Sequence, residues 1–179
     1  MISITEPFFD ESEATLVSQA LNSKWVTQGP FFKQFEKLFS SFQGSPFCLA
    51  TTSCTAALHI AASCLELQPS DEVLIPAFTW VTSAHCVEYV GATPVFVDIC
   101  LSSFNIDPIA AEKAITSNTK AIIVVHLFGK AADMNPLISL AKKHNLRIIE
   151  DCACAVQMRA KAFCLHLLLH LLLHGSACF

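Results

Sequence analysis

Positive charge is in short supply. Eleven Lys and Arg face fifteen Asp and Glu, for a formal net charge of -4 and a pI near 5.9. Nothing here resembles the basic footprint of a nucleic-acid binder. No apolar run reaches the about 18 residues that a membrane-spanning helix needs. The longest, residues 165–173, is broken by His166 and His170. The acidic opening MISITEPFFDESE contains no apolar core, so no secretory leader is expected. No C-x-x-C occurs among the nine cysteines, and their number is odd. Cys48, Cys64, Cys86 and Cys100 fall in apolar periodic segments, where a free thiol behaves as a small core residue. A reduced, cytoplasmic protein is therefore expected rather than a disulfide framework. Cys152 and Cys154 form the closest pair, but two thiols without a matching second pair make a poor zinc site. No metal is expected.

What is present is apolar and periodic. With 53% hydrophobic and 15% charged residues, 179 residues suit one globular domain. Residues 10–22 place Ala14, Val17, Ala20 and Leu21 at helical spacing. A loop at 25–30 ends in Gly29-Pro30. Helical period returns over 31–42 through Phe31, Phe35, Leu38, Phe39 and Phe42, and Gly44 is placed to end that helix. From Pro46 the rhythm changes. Strands are predicted at 47–50, 72–75, 94–97, 120–125 and 147–150, and helices at 55–65, 80–90, 108–115 and 134–144. Strands separated by helices argue for an α/β fold, a three-layer, mostly parallel sheet with helices on both faces. The chain is thus divided into a helical segment at 1–45, an α/β region at 46–156 and an atypical tail at 157–179.

That tail has no acidic residue and packs seven leucines into residues 165–173. His166, His170 and His174 would share one helix face, a spacing that could hold a metal. Leucine covers the other faces, however, whereas a soluble surface helix needs a polar side. A hydrophobic partner helix and a translated frameshift or truncation remnant are the other readings. The abrupt mismatch with everything before residue 157 favours the remnant.

Several stretches carry chemistry. Thr51-Thr52-Ser53-Cys54-Thr55-Ala56-Ala57 follows a predicted strand and opens a helix, where backbone N–H groups and hydroxyls can surround an anion. The same residues would also serve as an N-cap, through Ser53 or Thr55. Trp80, after the next strand, could stack on a planar ring or fill the core. Asp98 ends another strand and could cap a loop. His126 follows a strand, where a hydrogen-bonded structural role is the commoner fate. Residues 147–156, RIIEDCACAV, deliver the adjacent carboxylates Glu150 and Asp151 to a strand's C-terminal end, where ligands sit in parallel sheets. An anion site, an aromatic and a strand-end carboxylate at one sheet edge match the anatomy of pyridoxal phosphate: a phosphate, a flat ring and a ring nitrogen.

The segments WVTQGPFFKQFEKLFSSFQG, TTSCTAALHIAA, VLIPAFTWVTSAHCVEYVGATPVFVDI, VVHLFGKAADM and RIIEDCACAV, in that order and spacing, resemble the N-terminal half of the DegT/DnrJ/EryC1/StrS aminotransferases over about residues 3–156. These are fold-type I, pyridoxal-phosphate enzymes that aminate keto sugars, usually nucleotide-linked and commonly with glutamate as donor. The resemblance implies that Thr55 and Ala56 hold the cofactor phosphate, Trp80 stacks on its ring, and Asp151 pairs with its ring nitrogen. It implies Cys154 beside the ring hydroxyl, where the family usually has Gln or His, and a homodimer with shared active sites. Cys54 stands where the family usually has Gly.

The resemblance also places a Schiff-base lysine roughly thirty residues beyond the aspartate. Lys161 comes too early for it, and Lys130 belongs to an earlier loop. No catalytic residue is therefore assigned, and the expectation is a truncated, inactive sugar aminotransferase. In the family, two later strands separate the strand at 47–50 from that at 147–150, so residues 47–50 are expected to lack neighbours. The alternatives are a non-catalytic remnant or interaction module using the leucine-rich tail, and a fold-type I lyase or regulatory relative.

Overall fold

A computed structural model describes residues 8–25 and 27–155. The leucine-rich tail, Lys161 and the expectations attached to them lie outside the described residues. The chain divides into two compact units at the Ala50–Thr51 junction.

The first unit is helical. Helix α1 (Glu11–Asn22) starts at a full capping box: Asp10 accepts from the Ser12 N–H at 2.7 Å, and Glu13 accepts from the Asp10 N–H at 2.8 Å. The Ser12 hydrogen bonds hold the Asp10 carboxyl below its ordinary value of 3.8. Since a depressed carboxyl stabilises above its unfolded value and loses that contribution as pH falls through its folded value, α1 should fray from its first turn in acid. An NMR titration of Asp10 with a midpoint at or above 3.8 would contradict this. Helix α2 (Pro30–Gln43) opens on Pro30, whose fixed φ suits the first turn, and stops at Gly44 with φ +68. Phe35 and Phe39 stack along it, centroids 5.6 Å apart.

The strand predicted at 47–50 does not form. Those residues are extended without a ladder, and Phe47 is 84% exposed. The Ala50 N–H donates instead to the Glu36 carboxylate at 2.9 Å. An extended segment becomes a strand only where a neighbour takes its N–H and C=O groups, and no described strand pairs with this one.

The second unit alternates as predicted. Its elements are α3 (Cys54–Ser63), β1 (Glu72–Pro76), α4 (Thr82–Glu88), β2 (Thr93–Val97), α5 (Pro108–Ala114), β3 (Thr119–Val125), a single 3-10 turn (Leu127–Gly129), α6 (Met134–His144) and β4 (Arg147–Asp151). The strands are parallel, in the order β2-β1-β3-β4. The pleat sends successive side chains to opposite faces. Val73, Ile75, Ala121, Ile123, Val125 and Ile149 therefore pack with α3 and α4. Leu74, Ile122, Val124 and Ile148 pack with α5 and α6. The result is a three-layer α/β/α unit.

Candidate functional site

Glu150 and Asp151 are neighbours in sequence and strangers in space. Both are buried, at 3% and 5% exposure, but the β4 pleat turns them to opposite faces of the sheet. Asp151 follows Ile149 onto the α3/α4 side. Its Oδ1 accepts from the Ala153 N–H at 3.0 Å and from the Cys54 thiol at 3.6 Å, and its Oδ2 accepts from the Ser83 hydroxyl at 3.4 Å. Ser83 Oγ lies 3.1 Å from Thr79 Oγ1. The main chain fixes β4 as well, because the His126 N–H donates to the Asp151 carbonyl at 3.0 Å.

Glu150 turns toward His126 instead, with His126 Nε2 and Glu150 Oε2 3.1 Å apart. His126 Nδ1 accepts from the Ala132 N–H at 3.1 Å, so the ring proton sits on Nε2 and is donated to Glu150. This is the structural role expected for the histidine. The ligand-type atoms of His126, Glu150 and Cys152 lie within 4.8 Å of one another. Yet the nitrogen that would ligate a metal carries the proton, and the Ala132 donor at Nδ1 opposes the other tautomer. The triad reads as an internal brace.

Helix α3 brings the other half of the site. Ser53, rather than Thr55, is its N-cap, its hydroxyl accepting from the Ala56 N–H at 3.1 Å. Thr55 and Ala56 are half-buried in the first turn. The N-terminus of α3 is thus within one hydrogen bond of Asp151, through the Cys54 thiol. That thiol is turned onto the carboxylate as a donor. Trp80 is 65% exposed in the loop before α4, which excludes the core-filling alternative and leaves its indole accessible. Helix α4 begins at Thr82, later than predicted, since Trp80 and Val81 lead in and the Ser83 N–H caps onto the Trp80 carbonyl. Cys154 is exposed just past β4. Asp98 receives the Asp107 N–H on its main-chain carbonyl at 2.9 Å, so it lies at a loop junction.

Ser83 and Thr79 were not singled out from sequence. The i, i+4 spacing of two hydroxyls across a helix start was the available signal, but nothing local shows that a carboxylate 68 residues away completes the set.

The buried thiols of Cys86 and Cys152 are poor nucleophiles. Burial, with the Asp151 charge, pushes Cys86 up to about 12. Burial, with the Glu150 and Asp151 charges, does the same to Cys152. At pH 8, iodoacetamide should modify exposed Cys64 and Cys154 while sparing Cys86 and Cys152 until denaturant is added. Peptide mapping that finds all four labelled at similar rates would contradict this.

A buried carboxylate at a parallel strand end, a helix N-terminus one contact away and an exposed indole match the pattern that the sequence suggested. Residues 7–162 match the DegT/DnrJ/EryC1/StrS aminotransferase family. The chain belongs to this family. It is 41% identical over 156 residues to GDP-perosamine synthase of Caulobacter vibrioides, covering 87% of this chain and 42% of that protein. It is 40% identical over 150 residues to the spore coat polysaccharide biosynthesis protein SpsC of Bacillus subtilis, covering 84% and 39%. The PLP form of the putative sugar aminotransferase Spr1654 from Streptococcus pneumoniae superimposes with a TM-score of 0.81 at 36% identity, covering 86% of this chain and 43% of that one. The chain thus spans about two fifths of the length of these family members. Pyridoxal phosphate is the family's cofactor. Among the described residues, no helix is long and apolar enough to cross a membrane.

Proposed function

We propose that this chain carries the cofactor-binding part of a pyridoxal-phosphate sugar aminotransferase. The observation that carries the reading is the buried Asp151 carboxylate, held by Ala153, Cys54 and Ser83 beside the first turn of α3. In this reading Thr55 and Ala56 at the positive end of α3 hold the phosphate, with the Ala56 N–H released from the Ser53 hydroxyl. Trp80 covers one ring face, Asp151 holds a proton on the ring nitrogen, and Cys154 lies beside the ring hydroxyl. When bound, the cofactor supplies an electron sink for amino transfer. The protein's part is to keep the ring nitrogen protonated and the ring oriented.

In the same reading the amino acceptor is a keto sugar, nucleotide-linked, with glutamate as donor; the likeness to a GDP-perosamine synthase supports a nucleotide-linked sugar. A cytoplasmic homodimer is part of the same reading. Within these 179 residues no lysine stands at the family's Schiff-base position. Lys130 is occupied elsewhere, its Nζ donating to the Ser102 carbonyl at 2.9 Å. We therefore propose that these 179 residues by themselves bind the cofactor without covalent attachment.

An absorbance titration of the purified chain with pyridoxal phosphate tests this. Saturable binding that leaves no fixed adduct after borohydride is expected. A reduced adduct at one specific lysine would overturn the non-covalent claim, and no saturable binding would overturn the cofactor reading.

A further inference from the structure

Asp151 presents two unequal oxygens. Oδ1 takes a main-chain N–H at 3.0 Å and a thiol at 3.6 Å, whereas Oδ2 takes one hydroxyl at 3.4 Å, a long contact. Oδ2 is thus the oxygen with accepting capacity to spare. The Ser83 hydroxyl that reaches it has a single proton and a second acceptor nearby, Thr79 Oγ1 at 3.1 Å, where either oxygen can donate. Ser83 is fully buried (0% exposed) on α4, while Thr79 is half-buried in the loop that carries Trp80.

The two hydroxyls have two arrangements. In one, Thr79 donates to Ser83 and Ser83 donates to Oδ2. In the other, Ser83 donates to Thr79, and Oδ2 is free for an incoming N–H. In the first arrangement Oδ2, with its two lone pairs, keeps the Ser83 hydroxyl and can still accept a new donor; in the second the Thr79 proton must find another acceptor, so the first is the arrangement that holds the carboxylate.

Building on the cofactor reading above, we propose that Ser83, backed by Thr79, is a positioning residue that aims Asp151 Oδ2 at the ring nitrogen, its hydroxyl staying on one lone pair of that oxygen while the ring N–H takes the other. The relay also ties the Trp80 loop to the carboxylate, so the ring's edge and face are registered to one another through two side chains. The other titratable groups facing Asp151 are the thiols of Cys54 on α3 and Cys86 on α4, while the Cys152 thiol, clustered with His126 and Glu150, feels its charge from the other face. Cys86 and Cys152 lie near 12 and stay protonated below pH 10. Glu150 and His126 are turned to the opposite face.

The test is binding of pyridoxamine 5'-phosphate, which lacks the aldehyde that labels surface lysines, to the full chain between pH 6 and pH 10. The Cys54→Ala background is run in parallel, so that thiol titration is separated from that of the ring. The wild-type chain is expected to lose affinity on the alkaline side as the ring nitrogen gives up its proton. Ser83→Ala should weaken binding about threefold to tenfold, the range for one lost hydrogen bond. It should also move the alkaline limb to lower pH, because a less well aimed carboxylate holds the ring proton less firmly. Ser83→Thr should restore both, and Thr79→Val should move the limb in the same direction by less. A lowered melting temperature alone would not shift that limb.

Asp151→Asn separates the two levels. If Asp151→Asn loses affinity and the alkaline limb while Ser83→Ala and Thr79→Val keep the wild-type limb, the positioning role is overturned and the cofactor reading stands. If the wild-type chain does not bind, or Asp151→Asn binds as wild type does, the cofactor reading falls and the relay falls with it.

Discussion

Replacing His126 by Ala is expected to destabilise the second unit by about 3–5 kcal/mol, the cost of breaking a buried pair from one side. The imidazole is 1% exposed and serves two partners at once, the Ala132 N–H at Nδ1 and the Glu150 carboxylate at Nε2. Its removal leaves a carboxylate without its donor and a main-chain N–H without its acceptor, both away from water. Domains have about 5–15 kcal/mol of net stability, so this one change consumes much of it. The measurement is the urea midpoint of the purified variant. Glu150→Leu alone should be comparably damaging, because the ring loses its acceptor. The double variant His126→Leu/Glu150→Leu should lose less than the sum of the two single changes, since it removes ring and carboxylate together and leaves only the Ala132 N–H without its acceptor. If the double change equals the sum of the singles, the two residues do not act as a pair.

The second large effect is packing. Ile123 lies in β3, between neighbouring strands β1 and β4, and is 0% exposed among α3 and α4 side chains. Ile123→Ala removes three carbons from a layer that cannot close around the gap, because β3 is held on both sides. A loss of about 2–5 kcal/mol is expected. Leu16→Ala on α1 provides the contrast. Leu16 is 49% exposed, and its removal should change stability by no more than about 0.5 kcal/mol. Thermal or denaturant melts that rank the two substitutions equally would contradict this distribution of the core.

The elements legible in the sequence were those whose signals are local. Helix α1 carries its capping box within residues 10–13, and α2 carries both its Pro30 start and its Gly44 stop. The four strands that formed each combine a short apolar run with a helix-length spacer before the next. The two departures have non-local causes. Residues 47–50 have the composition of a strand, but a strand is completed by its partners, and no described strand pairs with them. Residues 80 and 81 continue the apolar pattern of α4, yet the helix begins at Thr82, with Trp80 in the lead-in loop and its indole in solvent.

The candidate site divides along the same line. Asp151 was visible as a strand-end carboxylate, and the period-two pleat already implied that Glu150 would face the other way. The destination of each was not visible. Ser83 and Thr79 sit 68 and 72 residues before Asp151, and Cys54 sits 97 before it. Nothing within a residue's own window could show that these side chains meet.

By itself the sequence determined the order and type of most elements, the α/β class, the family and a carboxylate at the end of a strand. Local dihedral preference and hydrophobic period are written residue by residue, so these can be read that way. Only the tertiary structure decided that Asp151 is held by a thiol and a hydroxyl, that Glu150 braces His126 instead, and that residues 47–50 remain outside the sheet. Each depends on strand order and on which helix covers which face, and those are settled when distant segments compete for the same buried surface.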